Sequence, residues 1–315
     1  MLEIINIDDQ KNIEGIRQLW NDEVGFIFPI SEFLFKKNVL ECEYYCKKAS
    51  FVAKDEDKVV GFIISKIYNN DPLIPAYIDS SWISLFYVSR NYRNKGIGST
   101  LLKKAEDELM SLNVKKINIG RDINNFFPGI PSDFDNLTAP FLQKRGYECG
   151  GYTHDLIKYN ISEIKQYIPK HNVRYLQESD YEETIKFFEK NFPGRWLVET
   201  KKALDKKCFN QYLVAFDGSK VIGFLRISYP TDEVFPYSQT WNNRFEKLGG
   251  VGPLGVDKDY RKQGIANDLL MYGFYQMKVN NITEAMIDWT GLMAIYQKYG
   301  FEVWKTYQYT NKTIL

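Results

Sequence analysis

The chain repeats itself, and a repeat constrains the fold more than any single motif, because both copies must answer to one architecture. Residues 59–65 read Val-Val-Gly-Phe-Ile-Ile-Ser and residues 221–228 read Val-Ile-Gly-Phe-Leu-Arg-Ile-Ser, with Gly61 and Gly223 162 positions apart. Residues 88–98, Val-Ser-Arg-Asn-Tyr-Arg-Asn-Lys-Gly-Ile-Gly, align without a gap to 256–266, Val-Asp-Lys-Asp-Tyr-Arg-Lys-Gln-Gly-Ile-Ala, at a spacing of 168. The second copy therefore carries six extra residues between these landmarks, in the aromatic, Pro-bearing stretch 229–248. A third pair closes each copy, Gln-Lys-Arg-Gly-Tyr at 143–147 and Gln-Lys-Tyr-Gly-Phe at 297–301. Since 315 residues exceed what one ordinary core organises, the repeat implies two domains, 1–159 and 173–315, with a linker at 160–172.

Local pattern supplies the elements. Each copy opens with a strand and an acidic-capped helix, Leu2–Ile7 then a helix from about Asp9, and Val173–Gln177 then a helix from about Asp180. Hairpins follow, with Ala49–Lys54 and Lys58–Tyr68 around Asp55-Glu56-Asp57, and Tyr212–Phe216 and Lys220–Tyr229 around Asp217-Gly218. Trp82–Val88 alternates as a half-buried strand, and Leu101, Leu102, Ala105, Leu109 and Leu112 recur at helical spacing after the Gly-rich turn. Gly252–Val256 and a helix over about Ala266–Lys278 repeat this arrangement. A strand (Lys116–Ile119; Ala285–Asp288), a short helix ending at Gly146 or Gly300 and a last strand complete each copy. The expected fold class is mixed α/β, two domains each built on a largely antiparallel sheet flanked by helices.

Composition narrows the partners. Hydrophobic residues at 44% and aromatic residues at 16% supply sizeable cores and exclude a disordered chain. The net charge is −2 for residues 1–160 and +3 for 161–315, so neither half has the field that nucleic acid or an anionic membrane requires. The longest apolar runs are strand-like, far short of the ~20 residues that span a bilayer, and the start MLEIINIDDQ is acidic where a signal peptide is basic. The expectation is a cytoplasmic protein with no membrane and no nucleic-acid partner. Cys42, Cys46, Cys149 and Cys208 form no CxxC pair and have only His154 and His171 as imidazole partners, so neither a metal site nor a disulfide framework is expected.

The segment Arg93-Asn-Lys-Gly96-Ile-Gly98 sits where a strand ends and a helix begins. Free N–H groups at a helix start, aided by the helix dipole, form an anion cradle. Glycine keeps that cradle open to a close-approaching phosphate, and Arg93 adds charge beside it. Neither turn contains the GxxxxGK[ST] of a P-loop, and no GxGxxG follows the first strand.

These turns, the Val-x-Gly-Phe hairpins and the terminal Lys-x-Gly-Phe/Tyr elements resemble the GNAT superfamily of acyl-CoA-dependent N-acyltransferases, in tandem over nearly the whole chain. The two-domain arrangement is similar to that of the mycothiol synthases of this superfamily. The resemblance implies acetyl-CoA as the acyl donor. It places the pyrophosphate on Arg93, Lys95, Gly96, Ile97, Gly98 and Ser99 in copy one and on Arg261, Gln263, Gly264, Ile265, Ala266 and Asn267 in copy two. The pantetheine arm would lie along Phe86, Tyr87 and Val88, or Leu254, Gly255 and Val256.

Transfer of an acyl group from a thioester to an amine needs a neutral amine, a stabilised oxyanion and a protonated leaving thiolate. In many members of the family a tyrosine four residues before the late glycine is the acid. Tyr296 holds that place in copy two and Leu142 in copy one, which favours copy two as the catalytic unit. Asp288 and Glu246 are its candidate bases, and Asp288 is equally suited to capping the turn near Gly291. Arg121 and Asp122, in the aromatic and Pro-rich loop 120–131, are candidate substrate contacts in a loop that either covers a cleft or packs against the other copy. Tyr237 and Trp241 are candidate walls of an acceptor pocket or packing residues. The expected activity is direct acetyl transfer to a small-molecule amine. Copy one as the active half and a non-catalytic acyl-CoA sensor are the alternatives. The sequence does not define the oligomeric state.

Overall fold

The glycine that marks each hairpin marks a close approach. In the computed structural model, which describes residues 2–314 except Asp8, Asp9, Asp135 and Glu233 and gives Gln10 by its backbone, a Cβ on Gly61 would lie 3.2 Å from the Tyr87 carbonyl oxygen and 3.4 Å from Leu101. On Gly223 it would lie 3.1 Å from Ile265 and 3.3 Å from the Gly255 carbonyl oxygen. The repeated Val-x-Gly-Phe is thus a packing device that lets a strand touch both its neighbour and the helix above it.

The chain forms two compact units that are discontinuous in sequence, the first of residues 1–71, 76–153 and 305–315 and the second of residues 72–75 and 154–304. The last eleven residues, which the repeat assigns to the second copy, belong to the first unit.

The first unit contains β1 (Leu2–Asn6), α1 (Gln10–Glu23), α2 (Glu32–Phe35), β2 (Phe51–Asp55), β3 (Lys58–Ile67), β4 (Ser80–Val88), α3 (Ile97–Ser111), β5 (Lys116–Ile119), β6 (Ile130–Pro131) and α4 (Thr138–Gln143), with the start of β7 (Glu148–Lys158). Asp9, expected to start α1, lies outside the described residues. Strands β1 to β4 are antiparallel neighbours, and β4 pairs with β5 in parallel only from Ser80 to Ile83. Beyond Ile83 the two strands part, leaving Ser84–Val88 without a partner strand on that edge among the described residues. The core lies between the sheet and α3, whose Leu101, Leu102, Ala105 and Leu109 have no exposure, each leucine contributing about 1.5–3 kcal/mol of burial.

The second unit contains β8 (Asn172–Tyr175), α5 (Tyr181–Asn191), α6 (Arg195–Asp205), β9 (Tyr212–Asp217), β10 (Lys220–Ser228), β11 (Leu248–Val256), α7 (Ile265–Val279), β12 (Glu284–Thr290), α8 (Met293–Gln297) and the start of β13 (Glu302–Thr313). Its antiparallel order is β8-β9-β10-β11, with β12 parallel to β11. Residues His154–Lys158 of β7 pair with β12, whereas Asn311–Thr313 of β13 pair with β5 in the first unit. Each sheet is thereby completed by the last strand of the other repeat. Asp180 does precede α5, but its carboxylate takes a bidentate contact from Arg174 and the N–H of Gln177 and caps no N–H of α5.

The 160–172 segment is built into the second unit. Ile161 is fully buried in its core, and Lys278 Nζ donates to the Ile164 carbonyl at 2.5 Å.

Candidate active site

The first Gly-rich turn opens α3. Gly96 is its N-cap at φ +83°, a left-handed conformation suited to glycine, and nothing lies within 4 Å of where its Cβ would be. A Cβ on Gly98 would make only ordinary contacts of 3.5–3.6 Å with Phe86, Val88 and Phe141. The Arg93 guanidinium stacks 5.2 Å over the Tyr87 ring and donates through Nε to the Val88 carbonyl at 3.1 Å. Arg145 stacks 3.7 Å over Phe141 and donates to Ser99 Oγ at 2.5 Å. Two guanidinium groups thus flank free helix-start N–H groups, with open space at Gly96. This environment fits a phosphate ester.

A cleft of about 610 Å³ joins that turn to the parting strands. It is lined by Arg93, Asn94, Gly96, Gly98 and Ser99 from the turn and by Ser84–Val88 of β4 and Ile119–Gly120 beyond. Phe28 and Phe127 close it with an edge-on contact at 4.9 Å, beside Trp20 and Phe134. Of the expected copy-one residues, Phe86, Tyr87, Val88, Arg93, Gly96, Gly98 and Ser99 line the cleft. Ile97 is buried in the core, and the Lys95 ammonium lies 4.9 Å over Tyr92. Pattern reading missed Asn94, Lys144, Arg145 and the aromatic residues. Lys144 and Arg145 were visible in the third landmark, where copy two has Lys298 and Tyr299.

Glu23 supports this wall from behind. It accepts from Ser89 Oγ at 2.6 Å, the Arg90 N–H at 2.9 Å and Tyr87 Oη at 3.1 Å. Burial opposes its charge, but these donors outweigh it and hold the carboxyl below its ordinary value.

The second turn has different surroundings. Gly264 again starts a helix at φ +89°, and Arg261 Nε donates to the Val256 carbonyl at 3.2 Å. The 160–172 segment, however, lies against this helix start. The fourth residue of the turn's helix is Asp268, where copy one has Thr100. Its carboxylate accepts from Tyr167 Oη at 2.5 Å and from the N–H groups of Lys170 and His171 at 2.8 and 2.9 Å, with His171 Nδ1 at 2.7 Å. Burial opposes the charge, and the hydrogen bonds of Tyr167, His171 and Lys170 overcome it, holding this carboxyl below its usual range. Asn267 is engaged by Tyr167 and Tyr299, and Ile265 is in the core. At Gly255 a Cβ would lie 2.5 Å from the Phe192 ring, so that ring occupies the face of β11 beside Leu254 and Val256. Gln263 and Gly264 are exposed and Ala266 is half-buried. A negative charge and a segment of chain therefore lie beside this helix start, although a Cβ on Gly264 itself would meet only His171 at 3.9 Å.

Of the expected catalytic residues, Tyr296 and Asp288 lie within electrostatic reach of each other, and Glu246 lies apart. Tyr296 is 8% exposed and packs in the second core near Phe301; burial, then the charge of Asp288, pushes its hydroxyl up to about 12. Asp288, at the far end of β12, is half-buried, and burial followed by the charge of Asp155 pushes it up to about 7. Thr290 Oγ1, rather than Asp288, caps the turn into α8 by accepting from Leu292 N–H at 3.0 Å. Glu246 precedes the start of β11 while the turn follows its end, about 30 Å away at ~3.3 Å per residue; it lines a separate cleft of about 570 Å³ with Tyr175 and Tyr229. Tyr237 Oη donates to Asp155 at 3.1 Å, and Trp241 is fully buried, which commits both to packing in this conformation. Arg121 stacks 4.2 Å over Tyr309. Asp122 has no exposure and is paired to Lys66, beneath the cleft rather than on its surface. Their loop does reach the cleft, through Phe127, Gly129, Ile130 and Pro131.

Two family models match the chain, the Acetyltransferase (GNAT) family over residues 13–126 and the Acetyltransferase (GNAT) domain over residues 172–304. The chain carries two GNAT domains in tandem. It is an N-acetyltransferase, and GNAT acetyltransferases use acetyl-CoA, whose thioester supplies the acetyl group.

Solved structures share this tandem GNAT fold. The GCN5-related glucosamine N-acetyltransferase region of a fungal multi-domain GH3 β-N-acetylglucosaminidase is 21% identical with a TM-score of 0.86, covering 99% of this chain. The chain spans only 38% of that protein's length. A GCN5-related N-acetyltransferase from Sphaerobacter thermophilus is 15% identical with a TM-score of 0.68, covering 99% of this chain and 95% of that one. A tandem GNAT protein from the clavulanic acid biosynthesis pathway is 12% identical with a TM-score of 0.70, covering 99% and 98%. At these identities the likeness is one of fold. The search of curated proteins found no match. Among the described residues no helix is long and apolar enough to cross a membrane.

Proposed function

We propose that the first domain is the catalytic half and transfers acetyl from acetyl-CoA to a small primary amine. The observation that carries this reading is the continuous cleft from the Arg93–Ser99 turn along the unpaired edge of β4. Arg93, Arg145 and the α3 N–H groups would hold the pyrophosphate, and the β4 edge would receive the pantetheine arm. The second domain is the weaker candidate despite Tyr296. Tyr167–His171 and the Asp268 carboxylate stand beside its helix start, and at the counterpart of Leu85 it has Pro253, which offers no N–H to a developing oxyanion. With Leu142 in the acid's place, the first domain relies on positioning and on protonation of the thiolate by water.

The aromatic lining of Trp20, Phe28 and Phe127 suits a small amine with an apolar or ring-shaped body. The solved glucosamine N-acetyltransferase region places amino sugars in the acceptor panel. The test is calorimetric titration of acetyl-CoA with parallel thiol-release assays on amino sugars, polyamines and aryl amines. One binding site is expected, lost in Gly98→Glu and retained in Ala266→Glu. Loss only in Ala266→Glu would return catalysis to the second domain, and binding without thiol release on any amine would leave a sensor.

A further inference from the structure

Strand β4 slips by one residue against β3, pairing Leu85 with Ile64 and Ile83 with Ser65, and the extra residue is Ser84. Ser84 is 3% exposed, and it lines the cleft where β4 and β5 part. Its Oγ donates to Asp122 Oδ2 at 2.8 Å. The same oxygen accepts from Lys66 Nζ at 2.5 Å, and neither charged side chain is exposed. The two remaining ammonium protons of Lys66 go to the carbonyls of Asn124 at 2.8 Å and Ile123 at 3.1 Å. Lys66 is therefore held by three acceptors and in turn holds Asp122.

A carboxylate paired in this way accepts hydrogen bonds and donates none, so the single Ser84 proton must point at it. With its proton so engaged, what the hydroxyl has left to offer a ligand in the cleft that Ser84 lines is its lone pairs. An ordinary serine rotates to suit either a donor or an acceptor, whereas this one is set as an acceptor before any ligand arrives. We propose that Ser84 Oγ receives an N–H of the acceptor amine and so orients its nitrogen at the acetyl group, with Asp122 and Lys66 as positioning residues. The inference rests on the reading that acetyl-CoA lies along β4 of the first domain. Gly252 stands at the counterpart of Ser84, so the second domain lacks the hydroxyl.

Two coenzyme A thioethers test this without knowledge of the natural acceptor. S-(2-aminoethyl)-coenzyme A carries an amine where S-propyl-coenzyme A carries a methyl group. Titrated into the full chain, the amino compound is expected to bind about tenfold tighter, the worth of one hydrogen bond from a charged donor. Ser84→Ala should bind both compounds equally, with the propyl affinity unchanged. Lys66→Met/Asp122→Leu, which keeps Ser84 but frees its proton to turn, should lose most of the preference. A wild type without preference, or a preference that survives Ser84→Ala, overturns the proposal. Equal weakening of both compounds in Ser84→Ala overturns it as well, because the hydroxyl would then serve the pantetheine arm. Failure of both compounds to bind the wild type would remove the cofactor reading itself, a separate result.

Discussion

Replacing Lys66 by methionine tests the physical basis of the first domain's cleft. The ammonium and the Asp122 carboxylate are both without exposure and 2.5 Å apart, so the charges are out of water and compensate each other, with fixed dipoles around them. Lys66→Met keeps the length and apolar stem of the side chain but leaves Asp122 buried with its opposite charge gone. Breaking a buried pair in this way costs about 3–5 kcal/mol, whereas replacing both members by apolar residues of similar volume is often close to neutral. For a unit of this size each kcal/mol lowers the melting temperature by about 2–4 °C. Lys66→Met should therefore lower the first unit's calorimetric transition by about 10 °C, and Lys66→Met/Asp122→Leu should recover most of that loss. A single variant melting within about 2 °C of wild type, or a double variant no better than the single, would refute the desolvated-pair argument. Two transitions are to be fitted, since two units need not unfold as one.

Three further outcomes follow from the geometry. In Asp288→Asn the sign follows from a carboxyl raised from 3.8 to about 7 by burial and Asp155. Its cost is absent below about pH 4 and grows as pH rises to about 7, so the variant should be more stable at pH 8 by at most about 4 kcal/mol and unchanged at pH 4, by urea melts. Equal stability at pH 8 would contradict it. Asp268→Asn removes a carboxylate held below its ordinary 3.8, whose contribution is present above that value and lost as pH falls through the lower folded value. Amide exchange at Lys170 and His171 should quicken by about tenfold or more at pH 7, and unchanged exchange would mean that the segment is held elsewhere. Gly61→Ala forces a methyl to 3.2 Å from the Tyr87 carbonyl oxygen and should cost about 1–3 kcal/mol in urea denaturation; a neutral result would show that β3 and β4 can part there freely.

Much of the fold was legible because its signals are local. Helical spacing of Leu101, Leu102, Ala105 and Leu109 defines the buried face of α3 whatever surrounds it, and Asp217-Gly218 turns a hairpin on its own. The turn that opens α3 was legible for the same reason, since Gly96 and Arg93 lie within one turn of chain. The carboxylates and the tyrosine were not. Asp122 was read as a substrate contact from its place in an aromatic loop, and nothing near it in sequence marks Lys66, 56 positions earlier, as its buried partner.

By itself, the sequence determined that there are two α/β repeats, that each carries a strand–turn–helix suited to a phosphate, and hence the family, because these depend on residues a few positions apart. Only the tertiary structure brings a carboxylate and a distant segment of chain beside the second helix start. Asp268, Tyr167 and His171 meet across about a hundred residues, and Ser84, Asp122 and Lys66 converge from three segments. Such contacts depend on how strands part and slip, which no short stretch of sequence encodes.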